Sequence, residues 1–289
     1  MPYLQANHPE RTDRLAAGAI GRSQSVGFDD EISHDHDWGP GFQVWLLDED
    51  HGRFGQALAE DLHAALPDEF LGYRLADGWG RKSNSVQIHS MDRWFEDETG
   101  GFAEPQEDPL AFQPSSRDES HLFFIKHGHV FHDPLGEFSR RREGFSVWPR
   151  YALLTRLKNM TWQLWHFGEY NFERVVRRGD PLTISHCKAE FTDYAMRVCF
   201  CLNEDFAPYW KWTAASFRQI PWASSIAHAL DALNASVSVE EGKEHIESIC
   251  GALRGRLVTS GFVQEGQAGD WGHAAMEEEI QRLEKTYGS

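Results

Sequence analysis

Apolar residues at helical spacing in the second half of the chain restrict the fold more than any other sequence feature. Between Leu153 and Trp165 they recur every three or four residues, which predicts a long amphipathic helix. Asp180 and Pro181 suit the N-cap and first position of a second helix, whose apolar residues run from Cys187 to Leu202. Similar runs, separated by Gly or Pro, continue to Tyr287. The second half is therefore predicted to be a helical bundle.

The first half has mixed strand and helix patterns. The run Phe42–Leu47 has strand character, Ser85–Met91 alternates like a strand, and Phe54–Leu66 has helical spacing. His121–Phe131 is predicted to be two β-rich runs broken at Gly128, and residues 100–120 are predicted to be a loop because they are rich in Gly, Pro, Asp and Ser.

Charge separates the same two parts of the 289-residue chain. The net charge is −17 overall, of which −14 falls in residues 1–145 and −3 in residues 146–289. We therefore predict two domains with these bounds. Such an acidic surface repels a polyanion, which argues against duplex nucleic acid as a partner.

Cysteine usage and hydropathy bear on location. The four cysteines form no CxxC pair, the first residues are too polar for a signal peptide, and no apolar run approaches the roughly 20 residues of a membrane-spanning helix. We expect a soluble cytoplasmic protein without a membrane segment. The sequence leaves the oligomeric state open.

The most unusual chemistry lies in residues 21–42, GRSQSVGFDDEISHDHDWGPGF. If Asp35 and Asp37 begin the following strand, their side chains leave the same face and can share a divalent cation such as Mg²⁺. Ser23 and Ser25 upstream offer hydroxyls for phosphate oxygens, and Gly39-Pro40-Gly41 lets the chain bend close to a ligand. A solvated loop with short-range turns explains the same residues, so chemistry alone favours neither interpretation.

A Gly/Ser turn followed by DxD near a strand resembles the signature of the DNA polymerase β-like nucleotidyltransferases, which include aminoglycoside nucleotidyltransferases. The run GFDDEISHDHDWGPGF more closely resembles DUF4037, a bacterial family of unknown function with a nucleotidyltransferase-like fold. Supporting resemblances lie in GHVFHDPLGEF, GEYNFERVVRRGD and LNEDFAPYWKW. The resemblance implies an α+β protein, with a nucleotidyltransferase-like mixed sheet and flanking helices followed by a C-terminal α-helical bundle.

The resemblance also implies an activity. An acceptor hydroxyl attacks the α-phosphorus of an NTP, expected to be ATP, and Mg²⁺ held by Asp35 and Asp37 offsets the charge while pyrophosphate leaves. The acceptor is expected to be a small molecule.

Further site residues follow from the resemblance for Ser23 and from residue type and position for the others. Ser23 matches the phosphate-binding serine, and Ser25 and Arg22 are expected beside the nucleotide. From the helical half, Lys211 is a basic candidate to meet phosphates, together with Arg174, Arg177, Arg178 and Lys188. Ordinary surface charge explains the same residues equally well. Glu190 is expected to be the general base, ahead of Glu169 and Asp180.

Two departures from the superfamily pattern favour alternatives to nucleotidyl transfer. Arg22 replaces the glycine that usually precedes the turn serine, and Val86–His89, where a third carboxylate normally lies, contains no acid. Asp133, expected as a metal ligand, and Asp92 are the candidates for that acid. A non-catalytic nucleotide- or metabolite-binding relative is therefore the first alternative, and a metal-dependent phosphoester hydrolase is the second.

Other conspicuous residues have ordinary explanations. The histidines at 121, 127, 129 and 132 are expected to be surface and turn residues rather than a zinc site. Arg140–Arg142 is expected to be a solvated helix face. Six aromatic residues in the second half could stack on a ligand, but most of them are expected in the core: Trp162, Trp165, Tyr170, Tyr209, Trp210 and Trp212.

Overall fold

The computed structural model describes residues 2–21, 23–30, 39–75 and 85–288. Contacts divide the chain into two units. The first consists of Met1–Gln106 and Pro114–Val147, and the second of Glu107–Gln113 and Trp148–Ser289. The second unit thus begins its long segment close to residue 146, and it also includes a short segment from within residues 1–145.

A four-stranded mixed sheet forms the centre of the first unit. The strands are β1 (Leu15–Ala19), β2 (Phe42–Leu46), β5 (Val86–Ser90) and β6 (His129–His132), and a separate hairpin contains β3 (Glu69–Phe70) and β4 (Tyr73–Arg74). The order across the sheet is β5-β2-β1-β6. β1 is antiparallel to β2 and β6, whereas β2 and β5 are parallel. The expected strands at Phe42–Leu47 and Ser85–Met91 are confirmed.

Helices cover both faces of this sheet. They are α1 (Pro2–Asn7), α2 (Pro9–Thr12), α3 (Asp48–Ala65), α4 (Met91–Thr99), α5 (Ser116–His127) and α6 (Glu137–Phe145). On one face, Val44 and Leu46 pack in a core with Leu58 and Leu62 of α3. Alternation along β2 turns Trp45 to the other face, where its ring lies 4.1 Å from that of Phe138 in α6.

Two predictions in the first unit were wrong. Residues 116–127, expected to be partly loop and partly strand, form α5, and only His129–His132 is a strand. The physical reason is a capping box: Ser115 accepts a hydrogen bond from the Asp118 N–H, and the Asp118 carboxylate accepts one from the Ser115 N–H. These bonds satisfy N–H groups at the helix start and favour helix over strand.

Arg140–Arg142 is also not a solvated face. Arg141 is only 6% exposed and donates to Asp92 (2.6 Å) and Glu137 (3.1 Å), with Glu104 at 2.9 Å. Arg142 donates to three carbonyls at the end of α5 and beyond it, those of residues 125, 126 and 128. Two of the three arginines therefore hold the first unit together.

The second unit is helical, as predicted. Its helices are α7 (Arg150–Trp165), α8 (Phe172–Arg178), α9 (Pro181–Leu202), α10 (Trp210–Phe217), α11 (Ser224–Ala235), α12 (Val239–Thr259) and α13 (His273–Tyr287). A π-helical turn, His166–Tyr170, follows α7. Asp180 caps α9 as expected, since its carboxylate accepts from the Thr183 N–H at 2.7 Å. Within the described residues, every helix is either too short or too polar to span a bilayer.

Candidate functional site

A single-turn 3-10 helix, Ser23–Val26, follows β1 and carries the two predicted serines. Gly21 and Gly27 flank it with φ of +89° and +75°, values that favour glycine. The Phe28 N–H donates to the Ser23 carbonyl at 3.0 Å, and the Phe28 ring stacks on Phe123 of α5. Ser23 is partly exposed, whereas Ser25 is only 4% exposed. Ser23 is therefore the more accessible hydroxyl.

The Gln24 side chain joins this turn to the bend before β2. Its amide Nε2 donates to the Gly39 carbonyl at 2.9 Å, and its Oε1 lies 3.5 Å from the Gly39 nitrogen. Gly39 has φ of +118°, a backbone conformation that residues other than glycine rarely adopt. A second side chain strengthens the same corner, because Gln43 Oε1 accepts from the Ile20 N–H at 3.0 Å. The serine turn and the bend are thus neighbours.

A small niche of about 20 Å³ lies between the turn and β2. Gln24, Ser25, Gly41 and Gln43 are among its lining residues. Its volume suits about one water molecule, so it is not itself a nucleotide pocket.

The predicted site residues fall into three groups. Arg22, Asp35 and Asp37 lie outside the described residues, as does the proposed cation site between the two aspartates. Ser23 and Ser25 lie in the 3-10 turn.

Three other candidates lie elsewhere. Asp133 follows β6 in the first unit, and Glu190 and Lys211 lie on α9 and α10 of the second unit.

Asp133 leaves the sheet at the end opposite to the serine turn. β6 runs antiparallel to β1 with His129 beside Ala19 and His132 beside Ala17. The residue after His132 therefore lies toward the start of β1, and the His132 ring contacts the Thr12 carbonyl there at 2.7 Å. The Asp133 carboxylate accepts from the Ser139 N–H in the first turn of α6. This geometry argues against the expected role of Asp133 as a metal ligand near the turn.

Asp92 also lies at the end of the sheet opposite to the serine turn. It follows β5, whose last residue, Ser90, pairs with Leu46 at the far end of β2. Its carboxylate is also the partner of the buried Arg141 at 2.6 Å. At the near end, the residues of β5 beside Phe42 and Gln43 are Val86 and Gln87, so this strand supplies no carboxylate there.

In the second unit, the acids proposed as a general base have different surroundings. Glu169 forms a bidentate pair with Arg254 at 2.8 and 2.6 Å and also accepts from the Trp271 indole. Hydrogen bonds from Thr183 hold the pKa of Asp180 below its usual value. Glu190 is partly exposed, with the His186 ring nitrogen 3.8 Å away. Of these three acids, Glu190 is the least engaged.

The basic candidates of the second unit mostly have partners within it. The Arg174 guanidinium lies 3.9 Å from the Tyr170 ring centre, Arg177 pairs with Glu173, and Lys188 donates to the Ser236 carbonyl at 2.6 Å. Lys211 is exposed beside the Trp212 ring.

The four histidines near Gly128 have separate environments. His121 pairs with Glu98 at 2.8 Å, and this hydrogen bond raises the pKa of His121. His127 packs on the Phe123 ring, whereas His129 is exposed on β6. Among the residues that the structure describes, no three His, Cys, Asp or Glu side chains converge as a metal site.

Thiol chemistry has little support, because all four cysteines are buried and none forms a disulfide. Burial raises the pKa of Cys187 to about 11 and raises the pKa values of Cys199 and Cys250 as well. Such thiols are poor nucleophiles near neutral pH.

Sequence reasoning missed two features. None of the six aromatics expected mostly in the core is buried; four are exposed, namely Trp162, Tyr170, Tyr209 and Trp210. An apolar cavity of about 620 Å³ also lies in the first unit. Its lining comes from segments between Pro2 and Phe131, so no local motif signals it.

Comparison with known families gives one match. Residues 115–213 match a family model described as Domain of unknown function (DUF4037), about a third of the chain, which supports the predicted family over this segment. The matched segment contains Asp133, Glu190 and Lys211 but not the Ser23–Val26 turn. No curated protein and no solved structure matches the chain.

Proposed function

We propose that this protein is a Mg²⁺-dependent nucleotidyltransferase that moves a nucleoside monophosphate from ATP to a hydroxyl of a small-molecule acceptor. The observation that carries the proposal is the Gln24–Gly39 contact. Gly39 is the second residue after Asp37, and two residues of chain span at most about 7 Å. The contact fixes the hydroxyl-bearing turn beside Gly39, which supports the proposal that the turn and the paired aspartates serve one site.

The strand arrangement supports the same proposal. The serine turn follows β1, whose antiparallel neighbour is β2, and the later strand β5 lies parallel on the other side of β2. A mixed sheet with the turn at one end and a helical unit later in the chain is what the resemblance implies.

Each group has a defined task in this proposal. The Ser23 hydroxyl donates to a phosphate oxygen, and Gly39–Gly41 allows a ligand to approach the backbone. Asp35 and Asp37 supply hard oxygen ligands that suit Mg²⁺, which when bound offsets charge on the triphosphate. Glu190 belongs to the second unit, and its role as general base stays a prediction.

A second candidate function is nucleotide binding without turnover. The specific observation in its favour is that the near end of β5 carries Val86 and Gln87 where the superfamily places an acid. Two carboxylates hold a cation less firmly than three, which favours binding over transfer.

Pyrophosphate release and nucleotide binding test the two functions. The full chain is titrated with ATP and Mg²⁺ by calorimetry, and pyrophosphate release is followed with a mixture of metabolites. The proposal expects both signals, and expects D35N/D37N to abolish release while the control D29N, in the same acidic segment, retains it. Absence of both signals rejects the proposal. Binding that survives D35N, without release, favours the second function.

The Gln24 contact is tested separately by Q24E, which keeps the size of the side chain but removes the amide donor to Gly39. A lost hydrogen bond of this kind is worth about 1 kcal/mol, equivalent to roughly fivefold weaker ATP binding. The control Q56E lies on the exposed face of α3 and should bind ATP as the wild type does. Unchanged ATP affinity in Q24E would show that the contact does not organise the site.

A further inference from the structure

An apolar cavity of about 620 Å³ lies at the end of the sheet where β2 begins. Leu4 of α1, Leu62 of α3 and Phe42 of β2 contribute to its walls, together with Ala17 of β1. The volume falls in the range of pockets that hold a small organic molecule.

Exposed aromatic side chains line the cavity from three different elements. Tyr3 is 39% exposed, Phe70 is 52% exposed and Phe131 is 58% exposed. They belong to α1, β3 and β6. Single exposed apolar residues are common, but a group of them at one large cavity marks a binding site.

The lining favours an uncharged ligand. Its residues are almost all apolar, and the Ser85 hydroxyl already donates to the Leu75 carbonyl at 2.5 Å. A charged group placed there would lose hydration without a partner of opposite charge among the described lining residues.

The position of the cavity connects it to the candidate site. Gly41 and Phe42 line both the cavity and the niche beside Gln24 and Ser25. Pro40, in the bend that Gln24 holds, also lines the cavity.

We propose that this cavity holds the apolar body of the acceptor, an uncharged molecule with a ring or branched hydrocarbon skeleton and one hydroxyl; this rests on the proposed function. In the transfer, a lone pair of the hydroxyl oxygen forms a bond to the α-phosphorus of ATP. The bond from that phosphorus to the pyrophosphate oxygen breaks, and its electron pair leaves with pyrophosphate. The hydroxyl proton passes to solvent.

Binding to the cavity is tested without nucleotide by titrating the full chain with the neutral fluorescent dye N-phenyl-1-naphthylamine. We expect saturable binding of one dye per chain, displaced by 2-naphthaleneethanol, an uncharged aromatic alcohol. Ala65 lines the cavity at the end of α3, so A65W should weaken dye binding at least tenfold. Ala64 is its exposed neighbour and is not among the lining residues, so A64W should change dye binding less than twofold.

The outcomes separate this inference from the proposed function. No dye binding, or equal binding in wild type and A65W, overturns the cavity proposal even if ATP binds. No ATP binding by calorimetry overturns the proposed function, and the acceptor assignment with it, while the dye titration still reports the cavity. Pyrophosphate release with the polycationic amino sugar kanamycin but not with 2-naphthaleneethanol overturns the acceptor class.

Discussion

Removing the charge of Glu137 should destabilise the first unit in a pH-dependent manner. The Glu137 carboxylate accepts hydrogen bonds from Arg140 (2.7 and 3.1 Å) and from the buried Arg141 (3.1 Å). These bonds, that from Arg140 above all, lower the pKa of Glu137 from 4.5 to about 2. The variant E137Q keeps the shape of the side chain and removes its charge.

The magnitude follows from this pKa. A fall from 4.5 to about 2 corresponds to at most about 3 kcal/mol. Because the Glu137 side chain is 29% exposed, solvent screening reduces this to about 1–2 kcal/mol. A lowered carboxyl pKa contributes stability that is present above pH 4.5 and lost as the pH falls toward 2.

Urea unfolding of wild type and E137Q between pH 7 and pH 3 measures this contribution. We expect E137Q to be less stable by about 1–2 kcal/mol at pH 7, and the difference to shrink below pH 4.5. The control E143Q changes an exposed carboxylate on the same helix and should cost less than about 0.5 kcal/mol. A difference that is independent of pH, or equal in E143Q, would refute the electrostatic explanation.

Three further predictions concern stability. G168A places a Cβ 2.4 Å from the Phe191 ring and should destabilise the protein by about 1–3 kcal/mol. G251A, at an exposed position of α12 with open space around it, should stabilise the protein by about 0.5–1 kcal/mol. Urea unfolding measures both variants, and equal effects would contradict the packing argument. S115A removes the cap of α5 and should cost about 1 kcal/mol in thermal unfolding; unchanged stability would contradict the capping argument. The His121–Glu98 pair should contribute stability that is present below pH 6.5 and lost as the pH rises through the raised pKa of His121. H121N should therefore unfold with a lower free energy than wild type at low pH, and this difference should narrow toward alkaline pH. A difference that is independent of pH would exclude the Glu98 pair as its cause.

Regular elements with a clear period could be predicted from the sequence. The long helix from Arg150 and the cap at Asp180 follow from local residue chemistry, and so does the strand at Phe42. The sequence analysis predicts strand for part of α5 because its aromatic residues favour β-structure. The Ser115–Asp118 capping box is the sequence signal that indicates a helix there.

The candidate site could be predicted only in part. The serine turn was expected from its residues, but the Gln24–Gly39 contact joins residues 15 apart through a side-chain amide that no spacing rule indicates. Sheet register, which no local pattern fixes, places Asp133 and Asp92 at the far end. The prediction for Arg22, Asp35 and Asp37 stays a prediction.

The short segment Glu107–Gln113 has a practical consequence for dissecting the protein. The chain passes from the first unit to the second after Gln106, returns at Pro114 and leaves again after Val147. A fragment cut at Val147 would carry Phe112, only 4% exposed in the intact chain, without the helices with which its segment is grouped. A fragment limited to the family match, residues 115–213, would divide both units. A fragment that contains either unit as one continuous stretch should therefore fold poorly. An isolated first unit is better made by joining Gln106 to Pro114 through a short Gly/Ser linker.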